Sequence, residues 1–139
     1  MAYAPGIDLG TLKLIPEASR PAAWLLSGGA ATTFTDVSFA AYTPAGVKAL
    51  YLQYGISWTG NGVADYSGWQ LRKNGSSETA RNKTVVVMDY LTNLASGSVR
   101  EVDGVLIVEC DTSGIIEYRF LGGAAAVGGL YLSPLGYYL

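Results

Sequence analysis

The sequence predicts an all-β protein: a single β-sandwich domain over residues 21–139, of sandwich or jelly-roll type, preceded by an extended N-terminal arm over residues 1–20. Three observations carry this reading. Apolar residues alternate in about eight to ten short runs, turn-forming residues recur roughly every 8 to 12 positions, and no segment shows the apolar period of an amphipathic helix. At 139 residues and 50% hydrophobic, the chain is long enough to bury one core and unlike a disordered polypeptide.

The arm carries Pro5, Gly6, Gly10 and Pro16 among Ile7, Leu9, Leu12, Leu14 and Ile15. Prolines and glycines at that frequency oppose a helix, and the apolar residues need a surface, either the chain's own sandwich or a neighbouring subunit. Ala22 to Leu26, around Trp24, reads as a first strand stopped by Ser27-Gly28-Gly29. Phe34, Val37 and Phe39 mark the next strand, which enters the corner Tyr42-Thr43-Pro44-Ala45-Gly46. Pro44 suits the first central position of a turn, and Gly46 can take the positive φ that closes it. Val47 to Ser57 then alternates with apolar residues on both faces, as expected of a central strand or one bordering an interface.

Ser57 to Gly68 mixes Trp58 and Tyr66 with Gly, Asn61 and Asp65 and reads as a loop. Trp69 to Lys73 is a strand ending at Asn74-Gly75, a pair that favours a type I′ hairpin turn. After a polar segment, Lys83 to Leu91 returns as a strand, since the consecutive Val85, Val86 and Val87 weaken a helical alternative. Ser98–Val102 and Val105–Cys110 read as a hairpin about Asp103-Gly104, followed by a turn at Asp111-Thr112-Ser113-Gly114. Ile115 to Leu121 alternates cleanly, Gly122 to Gly129 is a small-residue loop, and Leu130 to Leu139 is a final strand.

Composition excludes several functions. With no histidine, a Ser/His/Asp triad, a Cys/His dyad and histidine-containing zinc sites are impossible within the chain. A net charge of −2 gives no electrostatic basis for nucleic-acid binding. No run of 18 apolar residues occurs and the N-terminus lacks a basic and apolar leader pattern, so neither a membrane span nor a signal peptide is expected. The single cysteine, Cys110, excludes an internal disulfide. Only 14% of residues are charged, which points to an oligomer that covers apolar surface between subunits.

Two stretches resemble jelly-roll modules on the surface of tailed bacteriophages, found in capsid decoration proteins, head fibres and tail-fibre domains. The first is Thr35-Asp36-Val37 leading into Tyr42-Thr43-Pro44-Ala45-Gly46 and then Val47-Lys48-Ala49; the second is Leu71-Arg72-Lys73-Asn74-Gly75-Ser76. The resemblance covers roughly a third of the chain and consists of turn chemistry. It implies a non-enzymatic virion protein, commonly a homotrimer, with the major capsid protein or other virion proteins as partners. It implies no catalytic residue and no cofactor.

Three groups of side chains are candidates for a site. Trp58, Tyr66 and Trp69 offer aromatic faces for sugar stacking, as in a receptor- or carbohydrate-binding fibre tip taking a host glycan; equally, they suit a sandwich core or subunit interface. Arg72, Lys73, Arg81 and Lys83 form a basic concentration that could dock on an acidic surface or simply guard a strand edge. Glu101, Asp103, Glu109 and Asp111 supply oxygen ligands without the spacing of a calcium loop, so no metal is expected. Cys110, at the end of an apolar strand, reads as a small core residue. The glycines of 122–129 lack the Lys-Ser/Thr and strand context of a phosphate loop.

Overall fold

The computed structural model describes residues 10–60, 62, 65–91, 95–121 and 127–139. Two antiparallel sheets pack face to face as a β-sandwich. The strands are β1 (Leu12–Leu14), β2 (Leu26–Gly29), β3 (Thr35–Ser38), β4 (Ala49–Thr59), β5 (Asp65–Lys73), β6 (Val85–Leu91), β7 (Val99–Glu109), β8 (Ile115–Phe120) and β9 (Val127–Tyr138). The first sheet has the order β1-β9-β4-β7, with β2 also on β9; the second has the order β3-β8-β5-β6. β5 pairs with β6, β4 with β7, β3 with β8 and β2 with β9, all antiparallel. The chain from β2 to β9 is therefore one long hairpin with its tip between β5 and β6, wrapped so that successive pairs alternate between sheets.

Alternation decides which side chains fill the space between the sheets. Leu50, Leu52, Ile56 and Trp58 from β4 meet Trp69 and Leu71 from β5, Ile116 and Tyr118 from β8, and Leu130 and Leu132 from β9. The double apolar face of the Val47–Ser57 stretch puts Leu50, Leu52 and Ile56 into the core and leaves Tyr51 half-buried on the outer face. β4 is the central strand, flanked by β7 and β9 along its whole length.

Several local expectations are corrected. Of the two surfaces expected for the arm, its described part lies on the chain's own sheet: β1 pairs Leu12, Lys13 and Leu14 with Tyr138, Tyr137 and Gly136, and a single 3₁₀ turn follows at Glu17–Ser19. Leu14 stays 61% exposed, whereas Ile15 is buried, its N–H bonded to the Leu135 carbonyl at 2.9 Å. That carbonyl is available because Leu135 is the extra residue of a bulge, where the register with β4 steps from Tyr51–Gly136 to Leu52–Pro134. Pro134, next to the bulge, falls in the part of β9 between the segments paired with β2 and β1, where a strand can lack a backbone donor.

The first core strand is Leu26–Gly29 rather than 22–26, so Ser27-Gly28-Gly29 lies inside the strand instead of ending it. Asn74-Gly75 does turn the chain, with Gly75 at φ +75° and the Ser76 N–H on the Lys73 carbonyl at 3.1 Å. The partner strand nevertheless resumes only at Val85. Asp103-Gly104 is no turn at all: β7 runs unbroken through it, with Asp103 opposite Gly55 and Gly104 opposite Tyr54. Residues 57–59 and 65–68 belong to β4 and β5, and 127–129 to β9; residues 1–9, 61, 63–64 and 122–126 of the expected arm and loops lie outside the described residues.

Candidate functional surface

Trp58 and Trp69 are not a ligand platform. The strands that carry them extend further than the glycine-rich composition indicates, and both side chains fall on inward positions, 1% and 0% exposed. Trp69 donates its indole N–H to the Gly29 carbonyl at 2.9 Å and packs 5.2 Å from the Phe120 ring. Tyr66 alone of the three is half-buried, with the Arg81 guanidinium 5.8 Å from its ring centroid.

The basic concentration is also dispersed. Arg72 binds Glu117 at 2.6 Å and the Glu78 carbonyl at 2.7 Å, with its guanidinium 3.5 Å from the centroid of Phe34. It is an internal bracket on the outer face of the second sheet. Arg119 lies 4.6 Å from the same ring and donates to Gln70 at 2.7 Å, while Gln70, fully buried, donates to the Thr79 carbonyl at 3.0 Å. Phe34, expected in a core alternation with Val37, instead faces these two cations because its position has the opposite parity. Lys83 makes an exposed pair with Glu78 at 3.5 Å, of the kind that contributes little. Arg72, Arg81 and Lys83 thus each have different partners, and only Lys73 of the four has an exposed side chain with none of these contacts.

The acidic residues divide in the same way. Glu101, Asp103 and Glu109 point outward along β7, and among the described residues no three potential metal ligands come together. Asp111 organises one end of the sandwich. Its carboxylate accepts the N–H groups of Ser113 and Ile115 at 2.9 Å each and the Asn74 side-chain amide at 2.8 Å. Burial pushes this carboxyl up, but the Ile115, Asn74 and Ser113 donors and the charge of Lys73 outweigh it and hold the group below its ordinary range. The Tyr42–Gly46 corner locks onto the same knot: Gly46, at φ +84°, donates to the Thr112 carbonyl at 2.9 Å, and Phe39 to that of Gly114 at 2.9 Å. Both stretches that carry the resemblance therefore meet around residues 111–114. Neighbouring Cys110 is buried, and burial together with the Asp111 charge pushes its thiol up to about 11, an unreactive state.

The outer face of the first sheet presents a further surface. Register aligns Leu14, Gly136, Tyr51 and Ile107 across β1, β9, β4 and β7, and the next outward residue on β7 is Val105. Leu14, Val105 and Ile107 are 61%, 55% and 44% exposed, forming an apolar band that ends at the β7 edge. Further along the same face, Trp24, expected within a first strand over 22–26, lies ahead of β2 and over Gly55 beside Tyr131. Compared with known proteins, the chain matches no family model and no curated protein.

Proposed function

We propose that the chain is a non-enzymatic structural protein of a bacteriophage virion surface, a capsid decoration or head-fibre subunit that assembles as a homotrimer and attaches to the major capsid protein. The observation that carries this reading is the apolar band of Leu14, Tyr51, Val105 and Ile107, on a chain with few charges to compensate for it. A second copy is the occupant we assign to it. Each such side chain is already about half buried, so covering it contributes about 1 kcal/mol before the entropy of association is subtracted.

Connectivity supports the reading. The pairing of β2 with β9, β4 with β7, β3 with β8 and β5 with β6 forms a wrapped hairpin, which is consistent with a jelly roll. The Tyr42–Gly46 and Asn74-Gly75 turns that resemble phage modules are built into one knot of this framework.

Light scattering on the purified protein tests the assembly. A trimer is expected at micromolar concentration, and Ile107→Lys or Val105→Lys should yield a folded monomer. A monomeric wild type ends this reading. Locating the chain in intact particles by electron microscopy separates a capsid position from a tail position, and absence from particles excludes the virion role.

A further inference from the structure

We infer that the outer face of the first sheet carries a binding groove for a neutral saccharide, centred on Trp24. This goes beyond the structural role and holds whether or not the chain assembles on a virion. Trp24 lies outside the core because the chain passes from the 3₁₀ turn through Pro21-Ala22-Ala23 across the sheet before β2 begins. The Leu25 N–H bonds the Leu132 carbonyl at 2.9 Å, and the Tyr131 ring meets the indole edge-on at 5.8 Å. These contacts fix a half-buried indole on the surface.

Gly55 makes the groove. A Cβ there would stand 2.8 Å from an Asp103 carboxylate oxygen and 3.5 Å from the Trp24 ring, so only a bare backbone lets these two groups approach over β4. The resulting groove, about 320 Å³, has Trp24 and Tyr131 on one side, Glu101 and Asp103 on the other, and Ser57 along its floor. A second groove of about 340 Å³ lies beyond Trp24, with Gln53 and Ser133 as its polar groups. Both volumes fall at the lower end of the ~300–1,000 Å³ typical of small-molecule sites.

The chemistry selects the ligand class. An aromatic face offers its negative quadrupole to the C–H groups of a pyranose, and carboxylates are strong acceptors for hydroxyl donors. Neutral amide and hydroxyl groups in the second groove suit a further sugar unit rather than a second charge. No basic residue lines either groove, so acidic sugars are disfavoured. The groove lies two outward residues along β4 and β7 from the Tyr51–Ile107 row, where Asp103 is the next outward residue after Val105 at the end of the apolar band.

A neutral-glycan array, followed by titration of intrinsic fluorescence with the neutral disaccharides that score, tests the proposal; sialyllactose and choline serve as charged controls. Binding of at least one neutral oligosaccharide is expected. It should weaken at least tenfold in Trp24→Ala and several-fold in Asp103→Asn, a surface change that leaves the core untouched, with circular dichroism confirming that both variants are folded. The proposal is overturned by an array without neutral ligands, by binding that survives Trp24→Ala, or by binding of choline or sialyllactose in preference to neutral sugars.

Discussion

Asp111 shows how much one side chain can set when its partners are distant in sequence. Its carboxylate joins the 111–114 turn to Asn74, and the corner at Gly46 hangs from the same turn. Replacing it by alanine should cost about 1–3 kcal/mol at pH 7, since hydrogen bonds to a charged acceptor are lost. The folded carboxyl titrates below its ordinary value of 3.8, so its contribution is complete above that value and disappears as pH falls through the lower folded value. Urea titrations should therefore show the gap between wild type and Asp111→Ala closing as the medium is acidified below pH 3.8; a gap independent of pH would mean that the charge is irrelevant. The turn itself was legible in the sequence from Asp111-Thr112-Ser113-Gly114. The hydrogen bond from Asn74 was not, because sequence spacing carries no information about which turns share an end of a sandwich.

At the scale of elements, patterning identified the alternating strands and failed where small residues serve packing instead of turning. Asp103-Gly104 has hairpin composition, yet Gly104 stays in β7 because the Tyr54 ring crosses it, with ring atoms 2.7 Å from where a Cβ would stand. The glycine is there to be covered. Gly104→Val should cost about 1–3 kcal/mol through overpacking, and adding Tyr54→Ser should recover part of that loss. Additive denaturation energies for the two changes would show that the pair does not interact. The same confusion of small with flexible hid β2 in Ser27-Gly28-Gly29 and shortened β4 before Trp58. Trp24, by contrast, was read into a first strand over 22–26 because an apolar run looks alike whether or not it pairs.

For the whole molecule, the sandwich was legible and the pairing was not, since turn spacing is compatible with many strand orders. The two sheets are joined by packing and by specific bonds, among them that from the Trp69 indole to Gly29, between β5 and β2. Trp69→Phe keeps an aromatic filler but removes the donor, and should lower stability by about 1–3 kcal/mol with an unchanged denaturant slope. A lower slope would point instead to sheets that separate independently. The wrapped hairpin also dictates a timetable. β9 lies between β4 and the two short strands β1 and β2, so the first sheet has no completed centre until residues 127–138 have left the ribosome. Roughly a hundred residues must therefore wait, with apolar faces uncovered, for the partner that closes them, and non-local closures of this kind fold on the slow, millisecond-to-second side of the range. A lesion in β9 is therefore expected to act as a failure to close, read as a loss of soluble yield on expression beyond the loss of stability in what is recovered.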